Sequence, residues 1–105
     1  MRTSILIVAL ISVAAPASAK TWSVDCAANA CAAVDSEGNI AFIDMEKQTV
    51  VGVDKLAATP EAPVTISCST TSVGQACVVV DGTGKMWFGP LKPGTPYKPS
   101  ENKLP

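Results

Sequence analysis

One pattern is written twice in this chain, and the duplication limits the available folds more than any other feature. Trp22-Ser-Val-Asp-Cys26 aligns on Val64-Thr-Ile-Ser-Cys68 at an offset of 42, which superposes Val24 on Ile66 and Cys26 on Cys68. Beyond loops of unequal length the offset becomes 46. Cys31-Ala-Ala-Val-Asp35 then falls on Cys77-Val-Val-Val-Asp81, Gly38 on Gly84, and Ile40-Ala-Phe42 on Met86-Trp-Phe88. Ser36-Glu37-Gly38-Asn39 and Gly82-Thr83-Gly84-Lys85 place a glycine where a tight hairpin needs positive φ. Strands are therefore predicted over residues 21–26, 31–35, 40–44 and 49–53 in the first copy, and 64–68, 77–81 and 85–88 in the second. Residues 54–63 carry Pro60 and Pro63, which end any strand and make the linker. No segment sustains a helical period. The expectation is an all-β chain of two repeated antiparallel meanders, packed as a small seven-stranded sandwich or flattened barrel over residues 20–89.

Four cysteines reinforce this arrangement. Cys26 and Cys31 are spaced C-x4-C, and Cys68 and Cys77 C-x8-C, neither of which forms the paired short spacings of a zinc site. An even cysteine count in a small exported chain reads as a disulfide framework. Local pairing closes short loops and stabilises by about 2–3 kcal/mol per bridge, against about 4 kcal/mol for the longer loop of a crossed arrangement. Energy alone leaves both open; the repeat favours Cys26–Cys31 and Cys68–Cys77, one bridge per copy.

Export is predicted from the amino terminus. Arg2 precedes an apolar run from Ile5 to Ala15, and Ala17-Ser-Ala19 provides small residues for signal-peptide cleavage after Ala19. The run is too short to cross a bilayer, so no membrane anchor is expected after cleavage, and the product is expected in the periplasm or outside the cell. Histidine is absent, and Arg2 is the only arginine. Ser/His/Asp and Cys/His relays, His-liganded zinc and arginine phosphate clamps consequently lack their residues. With 8 basic and 9 acidic side chains there is no positive field to gather nucleic acid. No cofactor or metal is expected. Asp35 and Asp81 precede the glycine turns and are expected to bond to their own turns. Asp44 and Glu46 lie close in sequence, but a catalytic carboxylate pair also requires a cleft.

The stretch Ala32-Ala-Val-Asp-Ser-Glu-Gly-Asn-Ile-Ala-Phe-Ile-Asp-Met-Glu-Lys-Gln-Thr-Val-Val-Gly52 resembles one blade of a β-propeller of the YVTN or NHL type, in which a V-x-D/N-x-x-G-x-(I/V)-x-(V/F)-I-D hairpin leads to a polar turn and a fourth strand. Cys77-Val-Val-Val-Asp-Gly-Thr-Gly-Lys-Met-Trp-Phe88 is similar over the two middle strands. The resemblance implies a blade-like meander and carries over no functional residue, because propellers host unrelated activities. Propellers close with typically 4–8 blades, whereas the sequence supplies two. Ala30 to Val34, Ile40 to Ile43 and Ala76 to Val80 are nearly continuous apolar runs, the signature of strands covered on both faces. A chain this small has difficulty covering all of them itself, which points to self-association or to another envelope protein as partner.

A regular tail follows. Pro90, Pro93, Pro96 and Pro99 recur every third residue, the period of polyproline II, which would align them along one edge, with Lys92 and Lys98 on a second and Leu91 and Tyr97 on a third. Residues 90–105 are thus expected either to dock a partner through Leu91, Lys92, Pro93, Pro96, Tyr97 and Lys98, anchored beside Trp87, or to lie in solvent or over the protein's own Trp87. The function expected from these marks is a non-catalytic exported protein-binding module, a small accessory subunit of a periplasmic complex. The alternatives are a periplasmic inhibitor or immunity protein that plugs an enzyme with a hairpin or the tail, and an enzyme or small-ligand binder restricted to lysine, carboxylate or thiol chemistry.

Overall fold

The computed structural model describes residues 21–105, so the expected signal peptide at 1–19 lies outside the described residues. Eight strands follow one another: β1 (Trp22–Ala27), β2 (Ala30–Asp35), β3 (Asn39–Asp44), β4 (Thr49–Lys55), β5 (Thr65–Thr71), β6 (Gly74–Val80), β7 (Lys85–Pro90) and β8 (Lys98–Lys103). They form two four-stranded antiparallel meanders, β1-β2-β3-β4 (sheet 1) and β5-β6-β7-β8 (sheet 2). The sheets pack against each other without closing into a barrel, which settles the choice between the two architectures. Gly38 and Gly84 turn the β2–β3 and β6–β7 hairpins with φ of 90° and 88°. Both disulfides form as the repeat suggested, Cys26–Cys31 and Cys68–Cys77, each joining directly opposed residues of the first hairpin of its sheet.

The expected seven strands become eight because the tail is not a rod. β8 pairs with β7, placing Pro99 opposite Trp87 and Lys98 opposite Phe88. As an edge strand β8 tolerates Pro99, which could not serve a central ladder. The segment between β7 and β8 turns inward. Leu91 and Tyr97 are buried, and the Tyr97 ring lies so close to Gly89 that it leaves no room for a Cβ there. Tyr97 donates its hydroxyl proton to the Pro90 carbonyl at 2.7 Å. Burial, with the Asp54 carboxylate nearby, pushes the phenol above its ordinary range, so it remains a donor. Pro93 lies against Gly52 of β4, and the Gly94 amide donates to the Asp54 carboxylate at 2.9 Å.

The core is the layer between the sheets. Sheet 1 contributes Ala32, Val34, Ile40 and Phe42; sheet 2 contributes Ile66, Cys77, Val79 and Trp87; Leu56, Leu91 and Tyr97 close the rim. Trp87 is fully enclosed, with Lys85 Nζ 5.4 Å from its ring centroid and its indole N–H donated to the Ala57 carbonyl at 2.7 Å. Phe42 and Tyr97 form a tilted ring pair with centroids 6.2 Å apart. At the inner edge β1 and β5 run side by side in the same direction. Ser23 Oγ accepts from the Ile66 amide at 3.3 Å, and the Asp25 carboxylate accepts from the Cys68 amide at 2.6 Å. The linker fastens the layers further, since Leu56 donates its amide to Gly38 and Ala57 to the Tyr97 carbonyl.

Candidate functional site

The structure redistributes the residues expected to bind a partner. Trp87, Leu91 and Tyr97 are buried core side chains, which overturns their assignment to a docking edge: their apolar area is already spent between the sheets. Lys92, Pro96 and Lys98 remain exposed and Pro93 is half-buried, but the side chains meant to anchor them point inward, and residues 90–105 supply the last strand of sheet 2 and the loop leading to it instead of forming a separate tail.

Two carboxylates are built into turns. Asp35 accepts from the amides of Glu37 and Asn39, each at 2.9 Å, and from the Asn39 side chain. Asp81 accepts from the Thr83 amide and hydroxyl, the Lys85 amide and, across the linker, the Glu61 amide at 3.0 Å. Burial alone would raise the Asp81 pKa, yet these donors outweigh it and bring the value from an ordinary 3.8 down to about 2. A depressed carboxylate pKa contributes stability above the unfolded value, lost as pH falls through the folded one. Asp81→Asn is therefore expected to cost about 2 kcal/mol at pH 7, and to flatten the stability profile between pH 4 and pH 2. Urea unfolding across that range checks it; a variant with the wild-type acid slope would disprove the linkage.

Asp44 and Glu46 do line a cleft, of about 390 Å³, at the outer rim between Phe42, Val51, Leu91 and Pro93. The Asp44 carboxylate there accepts from the amides of Glu46 and Lys47, the arrangement of a turn cap. Among the described residues no group of three or more His, Cys, Asp or Glu side chains could hold a metal, and no cysteine is free. No helix among them is long and apolar enough to cross a membrane.

The prominent surfaces are the two outer sheet faces, which sequence reasoning did not isolate. Cross-strand register places Trp22, Val24 and Cys26 of β1, Cys31 and Ala33 of β2, Ala41 and Ile43 of β3, and Val50 and Val53 of β4 on one side of sheet 1. Trp22, Val24, Val50 and Val53 are all exposed there. On sheet 2 the outer side carries Ala76, Val78, Val80, Met86 and Phe88, bordered by Thr65, Ser67 and Ser69 of β5. Contiguous apolar surface of this kind marks an interaction site more than it marks ordinary exposure. A third exposed apolar group, Val73, stands alone at the tip of the β5–β6 hairpin, 94% accessible.

No protein-family model matches the chain, and neither a curated protein nor a solved structure matches it significantly. Its chemistry has to be read from its own surfaces. Two disulfides are consistent with an oxidising, non-cytoplasmic environment.

Proposed function

We propose that the chain is an exported, non-catalytic protein-binding module, a small accessory subunit of a periplasmic complex, which makes its contacts through the outer faces of its sheets. The observation that carries this reading is the outer side of sheet 1, where the exposed Trp22, Val24, Val50 and Val53 flank Ala33, Ala41, Ile43 and the Cys26–Cys31 bridge, with Asp35, opposite Trp22, folded into its own turn. Such a face has nothing to offer a polar substrate and a good deal of area to offer another protein. The carboxylates that could have served a reaction are engaged in turns, and both thiol pairs are oxidised.

A second reading, an inhibitor or immunity protein, is favoured by one observation: Val73 protrudes at a hairpin tip that could enter an enzyme's cleft. A photo-crosslinking residue placed at Val50, Phe88 or Val73 in the host's unreduced envelope separates the two. Protein adducts from positions 50 and 88 and none from 73 are the expected result. Adducts from 73 alone would favour the inhibitor, and none at any position would overturn both readings.

A further inference from the structure

The two sheets do not pack symmetrically. On sheet 1 the buried side is Ala32, Val34, Ile40 and Phe42, whose repeat mates are Val78, Val80, Met86 and Phe88 on the outer side of sheet 2. On sheet 2 the buried side is Ile66, Cys77, Val79 and Trp87, whose mates are Val24, Cys31, Ala33 and Ala41 on the outer side of sheet 1. The front of one repeat thus sits on the back of the next. A junction of this kind is heterologous: it leaves one free front, on sheet 2, and one free back, on sheet 1, and those are the two surfaces the same junction brings together.

Matched positions show what each free face lacks. Phe42 is 2% exposed inside the junction and its mate Phe88 is 52% exposed outside it; Ile66 is 8% exposed and its mate Val24 59%. The correspondence extends to the rim. Leu56 donates its amide to Gly38 and is buried, while Leu104 donates its amide to Gly84 in the same way and is exposed. Leu91 donates to the Gln75 carbonyl and is buried, while Met45 donates to the Asn29 carbonyl and is exposed. At the inner edge Thr65 and Ser67 occupy the repeat positions of Ser23 and Asp25, the acceptors that hold β5 on β1. Cys26, opposite Cys31, has the place of Cys68 opposite Cys77, so its amide points to the free edge of β1 as that of Cys68 points from β5.

We infer that copies of this chain assemble head to tail, the front of sheet 2 in one copy seating on the back of sheet 1 in the next. The inference rests on the protein-binding reading above and narrows the partner to a second copy. Phe88, Val78 and Met86 meet Val24, Ala33 and Ala41 of the neighbour, and Thr65 and Ser67 accept from its Val24 and Cys26 amides. A heterologous contact either closes into a ring or runs on as a filament. With two blade-like sheets per chain, and with rings of such sheets closing at typically four to eight, closure takes two to four copies.

Native mass measurement of the disulfide-bonded chain tests this directly, with two, three or four chain masses expected. Val24→Asp and Phe88→Asp place a charge on opposite free faces, at positions already exposed in the single chain, and each alone is expected to yield one chain mass. Mixed in equal amounts they should give a 1:1 heterodimer and nothing larger, because a single intact front and a single intact back remain. Trp22→Asp and Ser67→Arg repeat the experiment without touching any core side chain, Trp22 being the repeat mate of Val64, which packs against the core of the existing junction, and Val73→Asp controls for the added charge by retaining the assembly. A face variant that still pairs with itself would overturn the head-to-tail arrangement. A wild-type chain of single mass whose position 88 crosslinks to a different protein would overturn self-assembly while leaving the binding-module reading in place.

Discussion

Trp87→Ala is expected to destabilise the protein by about 3–5 kcal/mol, the range for truncating a fully enclosed aromatic side chain. The indole is 0% exposed, lies between Val79 and Pro99 on its own sheet, and belongs to the one core cluster that also contains Ala32, Val34 and Ile40 of sheet 1. Its loss also strands the Ala57 carbonyl, which accepts its N–H at 2.7 Å and belongs to the linker that joins the sheets. Trp87→Phe separates the two effects. It keeps most of the packing and leaves the carbonyl without its donor, for about 1–3 kcal/mol. Guanidinium unfolding at fixed protein concentration measures both, and equal losses from the two substitutions would show that the hydrogen bond, and not the packed ring, carries the effect.

The second large effect concerns the bridges, whose positions in the repeat match and whose surroundings do not. Replacing Cys26 and Cys31 together by alanine removes a cross-link of sequence separation 5 from an outer face where Cys26 is exposed. The expected cost is about 2–3 kcal/mol, mostly from loop closure, because Cys31, though buried, lies outside the cluster between the sheets. Replacing Cys68 and Cys77 removes a cross-link of separation 9, and Cys77 is a core residue. Loop entropy and the vacated volume then add, for about 3–5 kcal/mol. The same unfolding measurement decides; equal costs would mean that the front-to-back packing does not distinguish the two bridges.

Legibility in the sequence followed the range of the physics. Hairpins are local, so the glycine turns, the internal repeat and the cysteine spacings were enough to locate β1 to β7 and to favour the bridges that form. Asp35 and Asp81 could be read as turn caps for the same reason. The fourth strand of the second copy was hidden by its prolines, whose three-residue period imitates a polyproline rod while β8 in fact uses Pro99 at a sheet edge. A signal for it existed: Asp54-Lys55-Leu56 and Asn102-Lys103-Leu104 end their repeats alike, and both leucines donate to the turn glycine. Which face of each meander is buried could not be read, because the alignment gives both copies nearly the same apolar pattern on both sides. That choice is made by the contact of β1 with β5, where the Ser23 and Asp25 side chains reach across to backbone amides.

Strand order in each sheet is the order of the chain, β1 to β4 and β5 to β8. Every ladder therefore forms between sequence neighbours, and the entropy of closing loops is met in small steps as each hairpin adds to the last. Only the docking of the two sheets brings distant residues together. The route to the native state thus has a natural division of labour: fast zippering of each meander, held in register by its own disulfide, then a slower search for the face that fits. A nascent copy whose first meander has zipped but whose second is still emerging exposes, for that interval, the front side of sheet 1, with Phe42 and Ile40 uncovered.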